Sequence, residues 1–312
     1  MIRFWFKKFF AVILSLWFLM TLTFFALLYL PGSPFSGEEK INPAILENLA
    51  GSWSTQHSFS EKYWSYLREL VKGELGPSLS QPGQNVENII VRAFSVSFKL
   101  NLLAALFSLF GGISLGLMAA YSSSERFKKG LIYTSTLVVG LPALFLSPLL
   151  IYFFALRWSW LPAAQLESAS SYILPLVALS LRPLMLVARF FFLRCLDFEN
   201  QPYIQAAVAR GLSRFQIYFV HILKLAIVPM ISYSVPIIVG LLSGSFLVEV
   251  LFAIPGLGLE FVNALSARDY PVVVGITLII GALMVIFSQI AEGLVYYLDP
   301  RLQDSSLQGE EP

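Results

Sequence analysis

The sequence is short of most of what a soluble catalytic domain depends on. Charged residues fill only 13% of its 312 positions, about half the share of an ordinary soluble protein. Cys195 is the only cysteine, which excludes an intrachain disulfide. His57 and His221 are the only histidines, so a zinc site of the usual Cys/His kind has no ligand set. No G-x-x-x-x-G-K-[ST] stretch occurs, which excludes nucleotide binding through a P-loop. Gly256-Leu257-Gly258 opens like a dinucleotide fingerprint, but Phe261 stands where the third glycine belongs and no strand pattern precedes it. H-E-x-x-H is absent, and neither histidine lies in an apolar run where it could serve an intramembrane serine nucleophile. The residues therefore point away from an enzyme and from any cofactor or metal held by this chain. A net charge of +2 gives no reason to expect a nucleic-acid partner.

What is abundant is apolar side chain, 57% of the sequence, more than a soluble core can hide and as much as a lipid bilayer can. Residues 9–30 carry no charge and are long enough to cross hydrocarbon as a helix. The run is too long for a signal-peptide core, and Tyr29-Leu30-Pro31-Gly32 is a poor cleavage site, so it reads as a retained span. Five more apolar runs come after it, at 100–121, 131–156, 172–193, 226–252 and 272–298. The expectation is an all-α, polytopic membrane protein with six transmembrane helices.

Residues 31–99 break the pattern with seven glutamates among lysines and arginines, and read as an insertion after the first span. Within it, 60–72 has the pattern of a short amphipathic helix with Ser60 as N-cap. Trp53, Tyr63, Trp64 and Tyr66 are residues suited to a membrane surface. Gly73, Gly76, Pro77, Pro82 and Gly83 then break regular structure.

Basic residues set the direction of the spans. Arg3, Lys7 and Lys8, then Arg126, Lys128 and Lys129, then Arg194, Arg210, Arg214 and Lys224 fall on one side; on the other, the short loops hold only Arg157 and Arg268. Cytoplasmic loops collect Lys and Arg, so both termini are expected inside and the 31–99 insertion outside.

Gly112-x-x-x-Gly116 and Gly240-x-x-x-Gly244 have the spacing that lets helix backbones approach in lipid, more often within a subunit than between subunits. Arg182, Arg189, Glu249 and Glu292 lie in or near spans, where a charged group either lines a pathway or snorkels to the interface.

The most informative stretch is 203–229, within the longest basic loop. Ala206, Ala207, Ala209 and Arg210 favour a helix, Gly211 suits its C-terminus, and Ser213 can cap a second helix. A helix, a glycine turn and another helix make a compact knob with a shallow alanine surface. From the residues alone, a docking knob and an ordinary solvated loop are both open.

Tyr203-Ile204-Gln205-Ala206-Ala207-Val208-Ala209-Arg210-Gly211-Leu212-Ser213 resembles the EAA coupling motif of ATP-binding-cassette (ABC) importer permeases, in the form found in dipeptide and oligopeptide permeases. Gln205 replaces the glutamate of the general motif, and Leu225 replaces a common asparagine. Other segments agree in order: Pro31-Gly32-Ser33-Pro34 after the first span, Gly73-Glu74-Leu75-Gly76, then Val248-Glu249-Val250-Leu251-Phe252. Pro255-Gly256-Leu257-Gly258, Ala267-Arg268-Asp269-Tyr270-Pro271 and Leu298-Asp299-Pro300-Arg301 complete the series. Only 34–71 matches poorly.

The resemblance implies a type I importer permease in the bacterial inner membrane. Residues 1–99 would be the first span with its external insertion, 100–302 the permease core with a coupling loop at about 194–225, and 303–312 a cytoplasmic tail. It implies as partners two cytoplasmic ABC ATPase subunits that carry ATP and magnesium, a second permease subunit, identical or homologous, and an external solute-binding protein. Tyr203, Gln205, Ala206, Ala207, Ala209, Arg210, Gly211 and Leu212 would engage the ATPase. Glu249, Pro255, Gly256, Gly258 and Asp269 would belong to the pathway or its external gate. The alternative is a secondary transporter driven by an ion gradient, which would normally show repeated halves; no internal repeat is evident.

Overall fold

The structure is a computed structural model that describes residues 2–29, 59–81, 83–141, 143–163, 166, 168–242 and 246–298. Residues 31–58 of the insertion, Gly244, the 299–301 part of the C-terminal motif and the 303–312 tail lie outside the described residues. Helices dominate: α1 Ile2–Leu28, α2 Phe59–Lys72, α3 Val86–Tyr121, α4 Glu125–Gly140, α5 Ala143–Leu150, α6 Ile173–Glu199, α7 Pro202–Ala209, α8 Leu223–Leu242, α9 Phe246–Leu251, α10 Leu257–Ser266 and α11 Tyr270–Leu298. Among the described residues the only extended pairing is an isolated bridge between Pro77 and Asn85.

Among the described residues, five helices are long and apolar enough to cross a membrane, and six if the bent pair α4 and α5 counts as one. Three expected spans change: the fifth, expected at 226–252, runs over Arg214–Leu241, and Phe246–Leu251 is a separate short helix. The second does not start at Leu100 but at Val86, and α3 runs for 36 residues, about 54 Å, well beyond a hydrocarbon layer of about 30 Å. Glu87, Arg92 and Lys99 interrupt the apolar run without interrupting the helix. The third, expected at 131–156, is no single rod: the chain turns by 105° between Gly140 and Leu144. Leu141 precedes Pro142 and adopts an extended conformation (φ −81°, ψ 122°), as the residue before a proline is driven to do. Beyond α5 the helix widens to a π-helical segment, Ile151–Arg157.

The chain divides into two compact units. The first holds residues 1–98 and 253–285. Its core joins Met20, Phe24 and Leu27 of α1 to Tyr66 of α2, Val86, Ile89 and Ile90 of α3, Ala264 of α10 and Val273, Val274 and Ile276 of α11. Burial pushes the Tyr66 hydroxyl pKa above its ordinary value, and Glu69 and Glu87 raise it further.

The second unit holds residues 99–252 and 286–312. Here α3 and α6 meet backbone to backbone. A Cβ on Gly112 would lie 2.7 Å from Val187 Cβ, and one on Gly116 only 2.5 Å from the Ala188 carbonyl oxygen. The first small-residue motif thus packs within the subunit. Gly240 is different: a Cβ there would meet nothing within 4 Å among the described residues. Val187, Ala188, Phe191, Phe192 and Cys195 of α6 continue the core to Ile217, Tyr218, Ile222, Ala226 and Met230.

Candidate functional site

The knob comes directly after α6. Gln201 is extended (φ −76°, ψ 145°) and Pro202 opens α7, where its missing N–H is no loss and its fixed φ suits a helix. At the other end the Gly211 N–H donates to the Val208 carbonyl at 2.9 Å and the Leu212 N–H to the Ala207 carbonyl at 3.3 Å. These two bonds make a Schellman turn, which requires a left-handed residue between them. Gly211 supplies it, at φ +82°.

Ser213 then starts the next helical turn, Arg214–Gln216, with a reciprocal cap: its Oγ accepts the Gln216 N–H, and Gln216 Oε1 accepts the Ser213 N–H. A π-helical segment, Ile217–Ile222, leads into α8.

The eight residues expected to engage an ATPase divide by face. Ala207 (8% exposed) points inward beside Ile204 (2%), which is not one of the eight, and the two anchor α7; Leu212 packs against the same core as Ile204. Tyr203, Gln205, Ala206, Ala209, Arg210 and Gly211 are exposed. Val208, absent from the expected set, shares their surface. The outward face is therefore mostly small or apolar, with Arg210 as its cation.

Arg214 fastens the knob to the turn between α3 and α4. Its guanidinium donates to Ser123 Oγ at 2.5 Å and to the Ser122 carbonyl at 3.5 Å. It lies over the rings of Tyr121 and Tyr218, 5.5 and 5.6 Å from their centres. Met118, Tyr121, Ser122, Ser123, Phe127 and Arg214 line an open cleft of about 590 Å³ beside it. Sequence reasoning counted Arg214 among the basic loop residues and missed its partners; no local pattern pairs residues 91 positions apart.

Of the outer candidates, Glu249 lies on α9 in the second unit, only 1% exposed. Pro255, Gly256, Gly258 and Asp269 belong to the first unit. Pro255 is exposed, whereas Gly256 and Gly258 are buried around the start of α10. There the Leu257 N–H donates to Ser97 Oγ at 2.8 Å.

Asp269 is fully buried. Its Oδ2 accepts the Ser80 N–H at 3.0 Å, the Ser80 hydroxyl at 2.7 Å and the Ser78 hydroxyl. Its Oδ1 is buried with no hydrogen-bond partner among the described residues. Arg268, at φ +56°, turns the chain so that Asp269 reaches these donors. Of the charged span residues, Arg182, Arg189 and Glu292 are exposed, and Arg189 donates to Thr136 at 3.2 Å.

Residues 112–304, which include the knob and the outer segment, match the family described as binding-protein-dependent transport system inner membrane component. The chain belongs to that family. It is 33% identical over 305 residues to the oligopeptide transport system permease protein OppB of Haemophilus influenzae, covering 97% of this chain and 100% of that protein. It is 32% identical over 303 residues to the dipeptide transport system permease protein DppB of Bacillus subtilis, covering 97% and 98%.

Two solved structures share the fold. One is the inward-facing methionine ABC transporter MetNI, with a TM-score of 0.53 and 15% identity over 68% of this chain and 96% of that one. The other is an amino acid ABC transporter with histidines, with a TM-score of 0.54 and 18% identity over 67% and 94%. The chain is thus a multi-pass inner-membrane permease subunit of an ABC importer, with the type I importer fold, and not a secondary transporter.

Proposed function

We propose that this permease carries peptides as one half of a pathway completed by a second permease subunit. The peptide assignment rests on relatives whose names specify oligopeptides and dipeptides. An external solute-binding protein delivers the substrate, and cytoplasmic ATPase subunits, which bind ATP and magnesium, drive the cycle. This chain holds no cofactor of its own. Both termini lie in the cytoplasm, with the insertion outside.

The observation that carries the coupling role is the knob itself. Its inward residues fix it to α6 and to the helical run leading into α8, while Tyr203, Gln205, Ala206, Ala209 and Arg210 present a shallow outward surface. Small side chains let a partner approach the helix backbone closely, and a helix tied rigidly to two spans transmits displacement without a flexible relay.

A cysteine at Ala206, in a Cys195→Ala background, tests this reading. It should crosslink to the ATPase that co-purifies in mild detergent, with a yield that changes when ATP is bound. Intact complexes with no crosslink at any outward α7 position would overturn it. Topology has its own test: a tag at Gln308 should resist external protease until the cells are lysed.

A further inference from the structure

We propose that α2 is an interfacial anchor, and that its outward stripe lies in the lipid headgroup layer at the C-terminal end of α1. The inward face of α2, formed by Tyr63, Tyr66, Leu67 and Leu70, belongs to the core of the first unit and holds the helix in place. Trp64, Arg68 and Val71 recur at helical spacing on an exposed flank of the helix, with Glu61 and Lys72 beside them. Trp64 is 61% and Val71 85% exposed.

The contacts with α1 set the depth of α2. Thr21 lies seven residues before Leu28, the last residue of α1, so it sits about 10 Å inside that end of the helix. Its hydroxyl donates to the Trp17 carbonyl at 2.7 Å, which uses its only proton. The Tyr63 hydroxyl, 2.8 Å away, must then be the donor to Thr21 Oγ1. The Tyr63 ring stacks on Phe25 at 5.7 Å, and the Trp64 ring meets Tyr63 edge-on at 5.8 Å. A continuous series of ring contacts thus runs from the wall of a span to Trp64. Phe18, Leu22 and Phe25 of α1 are themselves exposed, so the membrane-facing surface of α1 continues onto α2.

The chemistry of the stripe fits lipid at this depth. Tryptophan favours the headgroup level. Arg68 and Lys72 can lay their apolar stems along the boundary and turn their charges to lipid phosphates. Two cations flanking only two large apolar side chains would be unusual at the centre of a protein interface, where charge is depleted. In the topology proposed above, the leaflet is the outer one.

The test uses the full-length Cys195→Ala permease, assembled with its partners in phosphatidylethanolamine and phosphatidylglycerol vesicles. Trp64→Cys and, separately, Val71→Cys carry a bimane label. Each label should lose most of its emission to lipids bearing a nitroxide just below the headgroup, and little to aqueous iodide. Quenching by iodide without quenching by the lipid nitroxide would show a solvated helix and overturn the proposal. Protection from both quenchers would show a protein-covered face and overturn it equally. Because Val71 is largely exposed, that variant reports even if loss of Trp64 disturbs the fold.

Discussion

Asp269 and Ser80, 189 residues apart, are joined twice: one carboxylate oxygen accepts both the backbone N–H of Ser80, at 3.0 Å, and its hydroxyl, at 2.7 Å. The carboxylate ties the turn that precedes α3 to the junction between α10 and α11. Removing it would leave the buried Ser78 hydroxyl without its acceptor and take the charged acceptor away from Ser80.

Asp269→Ala should therefore destabilise the first unit by about 3 kcal/mol, since hydrogen bonds to a charged group are worth roughly 1.5–3 kcal/mol each. Asp269→Asn, which keeps an acceptor, should cost less. Thermal unfolding in detergent and trypsin cleavage after Lys72 measure this. Equal stability of both variants and the parent would refute a clamping role.

Gly211 is a conformational requirement and not a steric one. Among the described residues a Cβ there meets nothing within 4 Å, but φ is +82°. Gly211→Ala should cost about 1–2 kcal/mol of local stability through the left-handed backbone alone. Asparagine tolerates that region better, so substrate-stimulated ATPase activity should fall in the order Gly, Asn, Ala, Leu, with membrane insertion unchanged. Full activity in Gly211→Leu would count against the turn's role in coupling.

Two glycines in similar sequence motifs should behave oppositely. Gly116→Ala places a methyl 2.5 Å from a backbone oxygen, a clash that no rotamer relieves, and overpacking of this kind costs roughly 1–3 kcal/mol or more. Gly240→Ala meets nothing among the described residues of its own chain and should leave monomer stability unchanged. Yield of monodisperse protein after detergent extraction separates the two. A stable Gly116→Ala variant would mean that α3 and α6 can separate cheaply.

Arg214→Lys keeps the charge but loses the planar fork that reaches Ser123 and the Ser122 carbonyl together. Because the site is exposed, global stability should change by less than about 1 kcal/mol. Transport coupling should fall while ATPase binding persists. Co-purification measured alongside peptide uptake distinguishes this from simple loss of the complex. Unaltered uptake in both Arg214→Lys and Arg214→Ala would exclude a bracing role.

Local signals made much of this molecule legible in its sequence. The apolar runs marked the spans, and the pattern of 60–72 located α2 to within a residue, although Ser60, expected as its N-cap, lies inside the helix that starts at Phe59. The knob was readable because Gly211 and Ser213 are a stop and a start whose chemistry acts over four residues. Where competing signals overlapped, reading by hydropathy alone erred. Gly140 and Pro142 sit inside an unbroken apolar run, so length suggested a rod where the backbone bends. Glu87, Arg92 and Lys99 suggested a break where the helix continues. Ser78 and Ser80 carried no signal at all, because their partner Asp269 is distant in sequence and adjacent only once the chain has folded. Arg268 takes a left-handed position that sequence patterns reserve for glycine.

The contact of Gly116 with the Ala188 carbonyl has a mechanical consequence. Without side chains between them, two helices have little room to roll or slide independently, so α3 and α6 form a stiff strut instead of two separate rods. The knob is joined covalently to α6. In the coupling role proposed above, a stroke delivered to α7 loads both helices at once. It can travel along α3 by the stiffness of one unbroken hydrogen-bond ladder, with no sequence of side-chain rearrangements to lose it in.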